Sequence, residues 1–269
     1  MPDIFDLIKN WWKKMLAVMV LSLLTVGIIT FLKPQQYLST ATAVPASSFA
    51  SDKSKIFNEN VQALYATLGT ADDLDMIVGT ANLDTVYLAV TDQFNLFDHY
   101  KIKETGDAAR KKASSLLKKN TKVMKSEYGE LKVKMWDTDK NLAPQLANAV
   151  MDKLQSIHQN LLGAGNEATL KGLIAGKKKL EAKIDSANLS TENKIVIQGQ
   201  IQQYEKLIGE YQLMVDSKPP SLIIVENAKS SDWPDRPRRT QILIATAVLS
   251  LLFALFAALI MERRKNPSQ

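Results

Sequence analysis

Two charge-free apolar runs, one near each end, constrain this chain more than any other feature. Met15 to Leu32 reads MLAVMVLSLLTVGIITFL, and Ile242 to Met261 reads ILIATAVLSLLFALFAALIM. Runs of about 18–20 apolar residues are long enough to cross a hydrocarbon core of about 30 Å as helices, which satisfy their own backbone groups in lipid. The first run is too long for the apolar part of a signal peptide, and no small-residue A-x-A site follows it, so it is expected to stay as an anchor. The near-zero mean hydropathy of −0.11 averages these runs with a polar middle and conceals both.

Basic residues near the runs set the expected orientation. Lys9, Lys13 and Lys14 precede the first, and Arg263, Arg264 and Lys265 follow the second. The facing flanks carry Lys33, Arg236, Arg238 and Arg239. Six against four favours both termini in the cytoplasm with residues 33–241 outside. The second run alone is balanced, three against three, so the lysines before the first decide. Trp11, Trp12 and Trp233 suit the two membrane interfaces. With about fourteen residues before one span and eight after the other, no kinase or other cytoplasmic output module is expected.

The formal charge of +6 divides as +1 in residues 1–14, +3 between them and +2 in residues 262–269, so it marks no basic partner. The middle hides an alternation. Residues 52–100 carry eight Asp/Glu against two Lys, whereas residues 110–140 carry ten Lys/Arg against four Asp/Glu. Such blocks invite charge matching within or between protomers, or contact with an anionic polymer or lipid. Arg110, Lys111, Lys118, Lys119 and Lys122 are the candidate intersubunit or polysaccharide contacts, and nucleic acid is not expected on the outer side of a membrane. The chain has no Cys, which excludes disulfides, thiolate zinc, iron–sulfur clusters and a cysteine nucleophile.

Periodicity gives the elements. Tyr37–Val44, β-branched and ending at Pro45, reads as a strand. Val61, Leu64, Tyr65 and Leu68, then Leu74, Ile77 and Val78, then Leu83, Val86, Tyr87, Val90 and Phe94 recur at helical spacing, with Asn58, Thr70 and Thr80 as N-caps. Ala108–Lys119 reads as a helix. Lys122–Ser126 and Leu131–Trp136 alternate about Tyr128-Gly129-Glu130, as a hairpin or meander would. A long amphipathic helix follows, opened by Asp139 and Pro144. From Leu170 the spacing tightens to threes and fours: Leu170, Leu173, Lys177, Leu180, Ile184 and Ala187, then Ile197, Ile201, Tyr204, Ile208, Tyr211 and Val215. This is a coiled-coil seam, and the polar Asn188–Asn193 between the arms indicates an antiparallel hairpin or, alternatively, one long helix. Lys177 on the seam and Gly172, Gly176, Gly199 and Gly209 weaken the pair or admit close packing. Pro219-Pro220 ends the second arm, and Leu222–Val225 reads as a last strand.

Chemistry-bearing motifs are sparse. Gly172 and Gly176 with Lys177-Lys178 have the wrong spacing for a Walker loop and no hydroxyl. Asp72, Asp73 and Asp75 lack the glycine and later glutamate of a calcium loop and suit a helix start. His99 and His158 have no second ligand nearby and read as surface or packing residues. No G-x-S-x-G elbow occurs. No enzyme activity, cofactor or metal is expected.

The order of features resembles the polysaccharide co-polymerases, the chain-length determinant (Wzz-type) family, in a short form without a kinase. Pro34 and Tyr37 match a Pro-x-x-Tyr strand entry. DTDKNLAPQLANAVMDKL (Asp137–Leu154) is similar to the family's "D-x-D-P…A…AN" helix, with Ala147-Asn148 in place and Lys140 where Pro often stands. SLIIVENAK (Ser221–Lys229) resembles its last strand. The collar before the second span keeps the spacing of the family's A-x-x-P-x-x-P-x-x-P pattern: Ala228, Ser231, Pro234, Pro237, then Arg238-Arg239, with Ser231 replacing the first Pro. Prolines there stop the span from extending outwards as a helix.

The resemblance implies an α+β fold: two transmembrane helices flanking an extracytoplasmic α/β domain with a coiled-coil helical hairpin. The expected parts are a cytoplasmic tail (1–14), a first span (15–32), a membrane-proximal periplasmic α/β domain (33–165), helical arms (166–216), a last strand and collar (217–241), a second span (242–261) and a tail (262–269). Gly27, Ala247, Ala254 and Ala258 form the expected packing face of the spans. The implied function is a non-enzymatic homo-oligomer, a ring or bell in the bacterial inner membrane. It would regulate the chain length of O-antigen, capsule or exopolysaccharide, with a membrane polymerase and the growing lipid-linked polysaccharide as partners. An adaptor of a capsule export complex is an alternative, and so is a membrane-anchored cell-wall hydrolase, for which the Asp72–Asp75 cluster is the candidate.

Overall fold

The computed structural model describes residues 4–46, 71–186 and 190–265. The expected helix around Val61–Leu68, the caps Asn58 and Thr70 and the side chains of Asp72 and Asp73 lie outside the described residues. Two compact units form: residues 1–38, 137–140 and 231–269, and residues 39–136 and 141–230.

In the first unit, α1 (Ile4–Leu32) and α8 (Arg239–Lys265) pack as an antiparallel pair. Trp11 Nε1 donates to Glu262 Oε2 at 2.7 Å at one end, and the Arg239 guanidinium sits 4.5 Å from the Phe31 ring centre at the other. Ile8–Leu32 and Arg239–Glu262 each contain a window apolar enough to cross a membrane, and only 6% and 17% of those windows are buried. A core helix of a water-soluble protein hides most of its apolar surface. These helices expose it, with Leu21, Leu24, Ile28, Leu249, Phe253 and Phe256 all outward, as lipid-facing helices do.

The second unit is built on a sheet in the order β2-β3-β1-β4, where β1 is Gln36–Pro45, β2 Thr121–Lys125, β3 Leu131–Asp137 and β4 Leu222–Glu226. Strands β2 and β3 form the expected hairpin, with Val123 opposite Val133. Gly129 takes φ of +76° in its turn, a conformation a side chain would strain. Leu131, Val133 and Met135 are buried while Lys132 and Lys134 are only half-buried, as a period of two requires, but Trp136, next on the lysine face, is buried as well. Strand β1 pairs antiparallel with β4, from Pro45 opposite Leu222 to Thr42 opposite Glu226.

Helices α2 (Ala71–Thr80), α3 (Asp84–Phe94), α4 (Leu96–His99) and α5 (Gly106–Lys119) precede the hairpin. Leu74 and Ile77, Val86 and Val90, and Leu117 join Leu131, Val133 and Met135 in one apolar core. Thr80 is not an N-cap: it closes α2, and its hydroxyl donates to the Met76 carbonyl, while Leu83 caps α3 without a side-chain bond.

Helix α6 (Leu142–Ser186) runs 45 residues without a break, about 68 Å at 1.5 Å per residue. Its first half is core: Leu146, Val150, Met151 and Leu154 are fully buried. From Gln159 onward it pairs with α7 (Thr191–Ser217) as an antiparallel hairpin, because Gln159 meets Lys218 while Lys177 meets Glu205. Ser190 caps α7 by accepting from the Asn193 N–H. Leu173, Lys177, Leu180 and Ile184, and Ile197, Ile201, Tyr204, Ile208, Tyr211 and Val215, are half-buried among exposed neighbours. The seam therefore follows the threes and fours of the sequence. Two helices alone shield only one side of each, which is why the described seam residues other than Leu170 remain partly wet; the expected seam position Ala187 lies outside the described residues.

Candidate functional site

The collar begins where β4 leaves its sheet. Asn148 Oδ1 on α6 accepts from the Ala228 N–H at 2.8 Å, and Ser39 Oγ on β1 donates to the Lys229 carbonyl at 2.9 Å. Ala228 is buried, so its N–H would otherwise lack a partner in a dry setting. Two motifs 80 residues apart, Ala147-Asn148 and the start of the collar, are thus one structural joint. Nothing in a single sequence signals this bond, nor the part played by Ser39.

Farther along, Ser231 Oγ donates to the Trp233 carbonyl, a turn that Pro in its place would not make. Pro234–Arg236 forms β5, which pairs antiparallel with the start of β1: Tyr37 with Pro234 and Gln36 with Arg236. The strand leaving one span is therefore bonded to the segment entering the other. The Arg236–Pro237 peptide bond is cis. Pro237 directly precedes Arg238, which pairs with Asp235 at 3.1 Å, and α8 starts at Arg239.

Along the spans, Ala254 and Ala258 are buried, as are Thr30 and Ser250, while Gly27 and Ala247 are half-buried. A Cβ placed on Gly27 would touch Leu243 at 4.0 Å. Small residues there let the helices approach closely. The Thr246 and Ser250 hydroxyls donate to carbonyls of their own helix, so neither is left unsatisfied.

The basic block divides in two. Arg110 grips Asp92, with Nε 2.8 Å from Oδ1. Lys118 reaches Asp84 at 2.7 Å and the Asn82 carbonyl at 2.6 Å, and Lys125 reaches Asp75 at 3.2 Å. The Arg110 guanidinium holds the Asp92 carboxyl below its ordinary range, and Lys112 does the same to Glu104. Burial and the nearby Asp84 push the Tyr87 hydroxyl up to about 12, so it stays neutral. Much of the charge alternation is thus used within the chain. Lys111, Lys119 and Lys122 remain exposed and have no carboxylate partner among the described residues.

On the arms, Lys177 is neutralised by Glu205 at 2.7 Å and Glu181 at 3.4 Å, and the Glu205 bond raises its pKa. A Cβ on Gly176 would come within 2.7 Å of the Tyr204 ring, so this glycine admits the ring. Gly172, Gly199 and Gly209 have open space around them and serve no such contact. Gly172 to Lys178 is continuous helix, not a phosphate loop.

No group of three or more acidic, His or Cys side chains able to hold a metal occurs among the described residues. His158 is buried against the Thr80 hydroxyl at 2.9 Å, and the His99 ring tilts against Tyr100. Both act in packing.

No known family's sequence profile matches the chain, and no curated protein matches it. Among solved structures the chain is similar to a full-length bacterial polysaccharide co-polymerase, at 11% identity and a TM-score of 0.43, over 100% of this chain and 99% of that one. It is also similar to a fragment of WzzB, a polysaccharide co-polymerase from Salmonella Typhimurium, at 13% identity and a TM-score of 0.30, over 76% of this chain and 100% of that fragment.

Proposed function

We propose that the chain is a two-pass protein of the bacterial inner membrane, both termini cytoplasmic. As a homo-oligomeric, non-enzymatic scaffold, it regulates the chain length of a surface polysaccharide made by a membrane polymerase. One observation carries the reading: the strand leaving the first span is bonded to the collar entering the second, with the α6–α7 hairpin inserted between β3 and β4. This frame has the element order of the family that the motifs resemble. It suits holding a growing lipid-linked glycan beside a polymerase.

The exposed Lys111, Lys119 and Lys122 are the proposed contacts for an acidic partner, either the glycan or a second copy; Arg110 and Lys118 are engaged within the chain. Deleting the gene in its host should leave polymer present with an altered length distribution on a glycan gel. Loss of all polymer, or an unchanged profile, would refute the reading. Replacing Lys111, Lys119 and Lys122 together by Gln should shift the distribution with protein abundance unchanged.

A further inference from the structure

A cleft of about 290 Å³ opens in the span unit beside the collar, lined in part by Gln35, Asp235, Arg238, Arg239, Thr240 and Gln241. Its position along the spans fixes its depth. The apolar run of α1 ends at Leu32 and that of α8 begins at Ile242, so a cleft bounded by Gln35 and Arg239–Gln241 stands at the level of lipid headgroups. Trp233, 82% exposed, is a residue type that favours that level.

The charge in the cleft is not balanced. Arg238 gives one guanidinium nitrogen to Asp235, and its side chain is 62% exposed, leaving the rest of the fork open. Arg239 has no carboxylate among the described residues. Its guanidinium rests on Phe31, and its Nε is buried without an acceptor. Gln35, Gln241 and Thr240 add amide and hydroxyl donors, and Asp235, the one acid in the lining, is taken by Arg238. Arginines at this end of the spans also oppose the orientation that Lys9, Lys13 and Lys14 favour, so they carry a topological cost. Open guanidinium forks with neutral donors match tetrahedral phosphate oxygens. The cleft volume suits a headgroup and is too small for several sugars.

We propose that this cleft binds the phosphate group of a membrane lipid, gripped by Arg238 and Arg239. The inference rests on the two helices crossing a bilayer and not on the glycan reading, so either can fail alone.

The test is native mass spectrometry of the detergent-solubilised full chain, titrated separately with phosphatidylglycerol, a polyprenyl diphosphate and inorganic pyrophosphate. Retention of either lipid, reduced about tenfold or more in R238Q/R239Q, is the expected result, and the lipid held more tightly identifies the source of the phosphate. The K178Q/K179Q variant removes the same charge from the exposed face of α6 and should retain lipid as the native chain does. Equal loss in both variants would reduce the effect to net charge and overturn the site. Retention unchanged in R238Q/R239Q, or pyrophosphate binding as tightly as both lipids, would overturn it too. Circular dichroism matching the native chain shows that the arginine variant is folded; should it not fold, R238Q alone carries the same comparison.

Discussion

Single residues hold the joint between sheet and collar. Removing the Asn148 acceptor leaves the buried Ala228 N–H unsatisfied, which costs about 1–3 kcal/mol. N148A should lower the thermal midpoint of the full chain in detergent by that measure, and a midpoint equal to the native one would show the bond to be idle. The arm glycines separate by what surrounds them. Gly199→Ala and Gly209→Ala enter open space and should each stabilise by about 0.5–1 kcal/mol from helix propensity. Gly176→Ala must displace the Tyr204 ring, so no gain is expected there. Thermal melts of the three variants in parallel make the comparison. Asp92 supplies a pH dependence. Its folded carboxyl has a lowered pKa, so the Arg110 pair contributes fully above the ordinary carboxylate value and is lost as pH falls through the lowered one. Because both side chains are more than 40% exposed, solvent screening keeps the contribution small. D92N should therefore be slightly less stable than the native chain at pH 7, and the gap should close in acid melts.

Whole elements were the most legible level of the sequence. The spans, the β2–β3 hairpin and the seam of the arms follow from periods of 3.6, 2 and 3.5, which respond to burial on one face and need no knowledge of the partner. Side-chain partners were not legible. Thr80 looks like a cap by residue type, yet it closes the preceding helix, because a hydroxyl can bond back to its own turn as readily as forward. Lys177 reads as a flaw in the seam by residue type, yet Glu205 reaches it from α7. At this level the paired spans make a test. Ala254 is 4% exposed and Phe253 is 69% exposed. Ala254→Leu should overpack the helix pair and cost about 1–3 kcal/mol, whereas Phe253→Leu faces lipid and should be silent. Thermal stability of the detergent-solubilised chain checks both, and equal effects would argue against a packed seam.

For the molecule as a whole, the sequence alone determined the framework: two helices able to span a membrane, a polar middle of strands and helices, and a paired-helix arm. Hydropathy and periodicity are local quantities, written within a few turns of chain, so they can be read without a fold. The resemblance to the co-polymerases likewise came from the order of motifs along the chain. What only the tertiary structure decided is long-range. It bonds Asn148 to Ala228, ties the exit of one span to the entry of the other, and spends Arg110 and Lys118 on internal ion pairs while leaving Lys111, Lys119 and Lys122 open. It also gathers Gln35 with Arg238 and Arg239 around one cleft. Each of these depends on residues far apart in the chain meeting at hydrogen-bond range, a distance that no local pattern encodes.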